Sequence, residues 1–305
     1  MIFLLLSILC SSAVAILLRH ASLRGLDQFP IFVANYATAL ALGLFLAESA
    51  QFGSEPPAGI ALAMLVGVFY VFGLLIFRRT INEVGTGIAA SVSRLSVILP
   101  VALSIVGFGE RLGPAQFAGI ALAVLVLPFS GRVWPPWRAM PATGEVPSAG
   151  ASPDAGEEAR ARKPVAAASG LLWTIGLFLV FGLNDSALKI RAELIPRSDP
   201  GLFFAILFGT AGAISVVITI VRREVVKVES IVIGVLLGAV NYGTAHFLAL
   251  ALGVIPGYQA FTLNSVGIIL LVTLVGRLLF GERLARHNVV FLVGSVLAIV
   301  LLRLP

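Results

Sequence analysis

The amino-acid sequence predicts an all-α integral membrane protein of ten transmembrane helices, arranged as two inverted five-helix repeats. Three observations predict this fold class: the composition, a series of long apolar segments and an internal sequence repeat. Of the 305 residues, 59% are hydrophobic and 12% are charged, whereas soluble proteins are about 45–50% apolar and about 25% charged. A soluble domain of this composition could not cover its surface with polar residues. Lipid is therefore the predicted solvent, and the bilayer is the first predicted partner.

Ten segments are apolar enough for membrane-spanning helices, which need about 20 mostly apolar residues. They comprise residues 2–18, 30–47, 58–77, 84–106, 115–130, 168–188, 201–221, 230–250, 257–276 and 288–303. The first segment also fits a cleaved signal peptide that ends in small residues, but it lacks the basic start of such a peptide. Reading it as a helix gives both halves of the chain five helices.

One stretch, residues 131–165, differs from the rest in being rich in Pro, Ala, Gly, Ser and charged residues. It contains too few large aliphatic side chains to bury a core, which predicts a flexible linker. The linker separates a first five-helix repeat over residues 1–130 from a second over residues 166–305.

The two predicted repeats share sequence. The Gly-Glu-Arg-Leu run at residues 109–112 recurs at residues 281–284, in both cases after the fourth helix of its half. Further identities follow at the same offset without gaps: Arg19 with Arg191, Tyr70 with Tyr242, Gly85 with Gly257, Ser93 with Ser265 and Phe108 with Phe280. Because five is an odd number, the second repeat enters the membrane from the opposite side. Inverted repeats of this kind are frequent in secondary transporters, whose substrate site lies near the midplane where the repeats meet.

The repeated motif also carries a resemblance to a known family. Its residues are Pro100 in the fourth predicted helix, followed by Gly109 and Glu110, with Gly281 and Glu282 in the second half. This pattern resembles the EamA-type repeat of the drug/metabolite transporter superfamily, although Val272 stands where the first half has Pro100. The resemblance implies a ten-helix secondary carrier of small metabolites, often an exporter.

The two motif glutamates are predicted to be structural. Glu110 and Glu282 each lie in the short turn before the last helix of their repeat. A carboxylate near the start of a helix is stabilised by the positive end of the helix dipole. The motif therefore indicates the family rather than the substrate.

Arg94 lies inside the fourth predicted helix, where a charge costs at least about 2.5–3.5 kcal/mol on insertion scales. One interpretation is an anion site, because a guanidinium binds a carboxylate or phosphate through two hydrogen bonds. The other is a structural arginine that pairs with Asp185 or Glu83 or reaches to the membrane surface.

Asn184 and Asp185 follow a long apolar run in the sixth predicted helix. Asn184 is a candidate substrate-binding residue. Asp185 and Lys189 are four residues apart and can pair on one helix face. Alternatively, Asp185 titrates and couples transport to protons.

Further polar side chains are predicted to line a central cavity from the third, eighth and ninth helices: Tyr70, Asn241, Tyr242, His246, Gln259 and Asn264. The alternative is ordinary hydrogen bonding between helices, worth about 0.6 kcal/mol per contact in a bilayer. His246 is also a candidate proton carrier, since histidine titrates near neutral pH.

Other function classes find little support in the sequence. There is no Walker loop, zinc-protease motif or nucleophile elbow, so no enzyme, cofactor or metal site is predicted. The basic residues are dispersed among short loops, which argues against nucleic acid. A flippase for a lipid-linked isoprenoid phosphate is the alternative within transport, and a non-transporting receptor or assembly protein is the alternative outside it. We expect a monomer or homodimer in a bacterial inner membrane.

Two features of the sequence predict opposite orientations in the membrane. Most Lys and Arg residues fall in connections after odd-numbered helices, which by the positive-inside rule places both termini outside the cytoplasm. The family resemblance implies the reverse, with both termini inside.

Overall fold

The computed structural model describes residues 1–47, 55–84, 86–130, 165–195, 197–280 and 286–304. Within these ranges all regular secondary structure is helical, and no strand occurs. The helices in chain order are α1 (Ile2–Leu23), α2 (Gln28–Phe45), α3 (Pro57–Val84), α4 (Thr86–Leu95), α5 (Ile98–Ala102), a π-helix (Leu103–Gly107), α6 (Pro114–Ser130), α7 (Val165–Leu194), α8 (Pro200–Arg222), α9 (Val228–Leu252), α10 (Gly257–Phe280) and α11 (Arg286–Arg303). The predicted linker, apart from Val165, and the motif residues Gly281 and Glu282 lie outside the described residues.

Seven of the described helices are long and apolar enough to cross a membrane: α1, α2, α3, α7, α8, α9 and α10. Three shorter apolar stretches lie at Val92–Gly107, Pro114–Val126 and Val290–Arg303. The prediction of an all-helical, multi-pass membrane protein is confirmed. The outward-facing side chains of these helices are largely aliphatic, as exposure to lipid requires.

The fourth predicted helix is not continuous. The sequence predicts one segment over residues 84–106, whereas the structure divides it into α4, α5 and the π-helix. Pro100 lies in the first turn of α5, where its missing N–H group is tolerated. The proline cannot donate to the carbonyl of Ser96, and the chain bridges this point with a short bond from the Leu99 N–H to the same carbonyl, 3.0 Å long. The break therefore falls between Leu95 and Ile98, within one turn of Arg94.

Helices from the two halves of the chain pack against each other throughout. α2 lies between α8 and α9, α3 contacts α7 and α8, α1 contacts α9 and α10, and α6 packs on α11. The α2–α8 contact is close because of paired glycines. A Cβ atom at Gly201 would lie 2.5 Å from the Ala47 Cα atom, and one at Gly43 would lie 2.9 Å from the Ala205 nitrogen. Small residues are what allow helix backbones to approach so closely in lipid.

Candidate functional site

Arg94, Asp185 and Tyr70 come together between α4, α7 and α3. Asp185 lies close enough to interact electrostatically with both Arg94 and Tyr70, and Tyr70 interacts in the same way with Tyr36 of α2. We call these four residues the central cluster. Arg94 occupies the last turn of α4, where the negative end of the helix dipole favours a cation.

The two charges of the central cluster do not form a direct ion pair. Within the described part of the chain, neither Arg94 nor Asp185 has a hydrogen bond or a salt bridge, and both are half-buried. Neither partner predicted for a structural Arg94 binds it directly. Asp185 forms no ion pair with it, and Glu83 pairs instead with Arg79 at 3.0 Å. A guanidinium and a carboxylate thus share one region without bonding to each other.

Aromatic rings surround the tyrosines of the central cluster. The Phe208 ring of α8 lies 5.8 Å from the Tyr70 ring, 6.1 Å from the Tyr36 ring and 6.4 Å from the Tyr242 ring, measured between centroids. Tyr70 and Tyr242, which align in the sequence repeat, therefore pack on the same phenylalanine. Phe208 and Tyr36 were not predicted as site residues. For Phe208 the reason is that a phenylalanine in an apolar run has no polar signal.

Tyr242 and His246 form a second polar region on α9. Their rings stack 5.5 Å apart, and both the Tyr242 hydroxyl and the His246 Nδ1 atom are buried without a hydrogen-bond partner. His246 also interacts electrostatically with Arg191 of α7. The region therefore combines unsatisfied polar atoms with a nearby cation.

Arg191 belongs to a buried group of charges that the sequence analysis did not identify. The Arg191 cluster consists of Glu55, Arg191, Ser198 and Asp199. The guanidinium donates to the Ser198 carbonyl at 3.1 Å, while the Glu55 carboxylate accepts from the Ser198 hydroxyl and, at 2.9 Å, from the Asp199 N–H. This cluster closes the α2–α3 and α7–α8 connections against each other. The alignment of Arg19 with Arg191 in the repeat was the only sequence signal for it.

The remaining predicted site residues lie at separate helix contacts. The Asn241 amide donates to the Asn35 side-chain oxygen at 3.2 Å, and Asn264 accepts from the Ser7 hydroxyl at 3.2 Å. Gln259 donates to the Leu302 carbonyl at 2.9 Å, which ties α10 to α11. The Asn184 side-chain oxygen is buried without a partner, next to Asp185. Asn184 thus lies beside the central cluster, whereas the other three join helices.

Glu110 lies in the predicted turn, but its carboxylate caps a different helix from the predicted one. Its carboxylate does not cap α6, the next helix, but the first turn of α10 in the other half of the chain. It accepts from the Gly257 N–H at 2.7 Å, the Tyr258 N–H at 3.1 Å and the Lys189 ammonium at 2.6 Å. The preceding Gly109 has a φ of +68°, which only glycine adopts readily and which turns the carboxylate towards α10.

Lys189 is consequently not a partner of Asp185. Its ammonium binds Glu110 and, also at 2.6 Å, Glu193 one turn along α7. Burial alone would raise the pKa of Glu110, but the hydrogen bonds from Lys189 and the two α10 N–H groups outweigh it, so the pKa is lowered. Glu110 is thus a charged structural residue that joins the two halves.

Comparison with known proteins gives a family match for the first part of the chain. The model of the EamA-like transporter family matches residues 1–130. This match confirms the resemblance to the drug/metabolite transporter superfamily, and it indicates a membrane transporter of that type.

Two whole-chain similarities extend beyond the EamA match. The chain is 26% identical to an uncharacterised Haemophilus influenzae protein over 315 residues, covering 97% of this chain and 95% of the relative. It also superposes on a protein of known crystal structure with a TM-score of 0.72 at 15% identity, covering 99% of this chain and 96% of the other. The second similarity shows that this chain shares its overall fold with a solved structure.

Proposed function

We propose that the protein is a secondary transporter that moves a small polar organic metabolite across a bacterial inner membrane by alternating access. The observation that carries the proposal is the central cluster, where Arg94 and Asp185 lie together without a direct ion pair inside a membrane protein of the EamA type. Charges in such a position are costly unless they serve a ligand, an ion or each other.

Alternating access requires two bodies that move against each other, and we assign these to two inverted five-helix repeats over residues 1–130 and 166–305. The pattern of helix contacts supports the assignment. The five spans of the first half are α1, α2, α3, the broken fourth span (α4, α5 and the π-helix) and α6, and their counterparts in order are α7, α8, α9, α10 and α11. When each span is exchanged with its counterpart, the α1–α9 contact becomes the α7–α3 contact, and the α2–α9 contact becomes the α8–α3 contact. The α2–α8 and α6–α11 contacts map onto themselves. An inverted repeat is expected to give this exchange symmetry.

Within this scheme Arg94 receives an anionic group of the substrate. A guanidinium matches a carboxylate or phosphate through a planar pair of donors. Tyr36, Tyr70 and Phe208 supply aromatic walls, a combination of apolar lining and few polar groups that suits small-molecule sites. Asp185 faces the same region and is our candidate for proton coupling, with His246 as the second candidate.

The test is a ligand panel on the protein purified in detergent, with melting temperature as the readout. The panel holds amino acids, carboxylates, sugar phosphates, nucleotides, cationic drugs and a short isoprenoid phosphate. A ligand at a hundred times its dissociation constant stabilises the fold by about 2.7 kcal/mol. We expect one anionic class to raise the melting temperature, and we expect Arg94→Gln to abolish that shift. Arg78→Gln, at an exposed arginine near the end of α3, is the matched control.

The outcomes separate the hypotheses. A shift that survives Arg94→Gln would place the site elsewhere. A shift with the isoprenoid phosphate alone would favour a flippase for lipid-linked substrates. No shift with any compound would oppose a soluble-metabolite carrier.

A further inference from the structure

A narrow apolar groove opens on the outer surface of the helix bundle. Its volume is about 210 Å³. The first turns of α2, the last turns of α8 and the α8–α9 connection form its walls, through Pro30, Val33, Val216, Thr219, Ile220 and Val226. The Thr219 hydroxyl donates to the Ser215 carbonyl at 2.8 Å. The groove therefore presents no free polar group to an occupant.

The groove extends inward from the helix end over the distance that the outer part of a lipid acyl chain would occupy. Val216 lies six residues before Arg222, the last residue of α8. With a rise of 1.5 Å per residue, the groove reaches about 9 Å inward from the helix end. Ile220 and Val226 are 69% and 58% exposed, so the walls face the bilayer rather than the protein core. A hydrocarbon chain is the occupant that suits these walls in a membrane.

The outer rim of the groove carries three basic side chains, Arg222, Arg223 and Lys227. All three are exposed, and the Arg222 guanidinium lies 5.3 Å from the centre of the Phe29 ring, next to Pro30 of the groove. Within the described ranges none of the three has a carboxylate partner. Lys227 is also the N-cap of α9, whose first turn has no side-chain cap. The rim therefore holds three cationic side chains that form no ion pair among the described residues.

The acidic residues nearby are already engaged. Glu229 pairs with Arg24 at 3.3 Å. Glu224 accepts the N–H of Phe29 at 3.2 Å, and Asp27 accepts the N–H of Val225 at 3.3 Å. These bonds tie the α1–α2 and α8–α9 connections together. They hold the three carboxylates on partners other than the rim cations, whose hydrogen-bond donors stay available for an external anion.

The geometry points to a binding site for one anionic phospholipid, with an acyl chain in the groove and the headgroup phosphate at Arg222, Arg223 and Lys227. Apolar walls alone would accept any lipid, while the basic rim selects a negative headgroup. A bound lipid would hold the α1–α2 and α8–α9 connections together at this face of the membrane.

The headgroup half of the proposal is tested by charge removal. Phosphatidylglycerol and phosphatidylcholine with identical chains are added to detergent-purified protein, and bound lipid is counted by native mass spectrometry together with the melting temperature. Each basic residue near an anionic lipid surface contributes about a fivefold gain in affinity. We expect the triple variant Arg222→Gln/Arg223→Gln/Lys227→Gln to bind phosphatidylglycerol about a hundredfold more weakly and to lose the preference over phosphatidylcholine. Arg78→Gln, at the same end of the bundle, should change neither.

The acyl-chain half is tested by filling the groove. Val216→Phe places a ring at its inner end, whereas Val217→Phe, one residue further along and also exposed to lipid, does not line it. We expect Val216→Phe to abolish the specific binding and Val217→Phe to preserve it. Equal stabilisation of wild-type protein by the two lipids would overturn the proposal. So would binding of chain-free glycerol phosphate as tight as that of phosphatidylglycerol, or unchanged binding in Val216→Phe.

Discussion

Replacing Glu110 with alanine removes three contacts between the two halves of the chain at once. One carboxylate oxygen accepts from the Lys189 ammonium and the Gly257 N–H, and the other accepts from the Tyr258 N–H. The Lys189 side chain is 3% exposed and that of Glu110 is 15% exposed. The substitution therefore leaves a buried ammonium and an uncapped helix.

The expected cost follows from these contacts. Breaking a buried ion pair by removing one partner costs about 3–5 kcal/mol. Lys189 keeps Glu193 as a second partner, which places the cost near the lower end, and loss of the α10 cap adds about 1 kcal/mol. We expect Glu110→Ala to lower the free energy of unfolding by about 4 kcal/mol. Glu110→Gln keeps one carbonyl oxygen and should cost about 2 kcal/mol, because a neutral acceptor is weaker and only one remains.

The assay is reversible unfolding in detergent by SDS titration, with Glu193→Gln as the matched control. Glu193 binds the same ammonium at the same 2.6 Å distance, but its side chain is 44% exposed, so its removal should cost less than about 1 kcal/mol. A Glu193→Gln cost equal to that of Glu110→Ala would refute the reasoning, and so would a Glu110→Ala cost below about 1 kcal/mol.

Three further predictions concern acid stability, helix packing and coupling. The folded-state pKa of Glu110 is lowered from its ordinary 4.5, so the stability that Glu110 contributes is present above pH 4.5 and is lost as the pH falls through the lowered pKa. Unfolding measured against pH should show this loss of stability in wild type but not in Glu110→Gln. Gly201→Ala should lower the free energy of unfolding by about 1–3 kcal/mol, because its Cβ atom would meet the α2 backbone, whereas Gly176→Ala, 3.9 Å from its nearest neighbour, should cost nothing measurable. Asp185→Asn in proteoliposomes should keep substrate exchange but lose uptake driven by a pH gradient; unchanged gradient-driven uptake would exclude Asp185 as the coupling residue.

Much of the fold could be predicted from the sequence because lipid imposes a simple rule on it. A spanning helix must be apolar over its whole length, so the helices can be recognised as runs in the sequence. The break after Arg94 was missed, although Pro100 was noted, because a proline in a spanning segment is compatible with a kink, a break or a continuous helix.

Partner choice in the candidate site was harder to predict. The spanning helices are apolar on nearly every face, because both lipid and core are apolar, so periodicity does not reveal which face turns inward. From the sequence, Asp185 could therefore pair equally well with Lys189 or with Arg94. Only the rotation of the helices in the folded bundle decides that Lys189 binds Glu110 instead. Likewise, nothing in the sequence indicated that Glu110 would cap α10 rather than α6.

The groups that were missed share a physical reason. Asn35 and Glu55 become significant only through residues more than a hundred positions away, Asn241 for the first and Ser198 with Asp199 for the second. Phe208 connects the two tyrosines of the repeat through ring packing alone. Long-range contacts of this kind depend on the assembled bundle, and a single sequence does not carry them.

The most direct test of the transport proposal is counterflow in proteoliposomes, using the compound that the ligand panel identifies. Vesicles loaded with unlabelled compound are diluted into labelled compound, and the accumulation of label inside is followed. We predict transient accumulation with wild-type protein and with Arg78→Gln, and none with Arg94→Gln. Binding in detergent without counterflow in wild-type vesicles would contradict the proposal and indicate a receptor, and full counterflow in Arg94→Gln would remove the central cluster from the transport path.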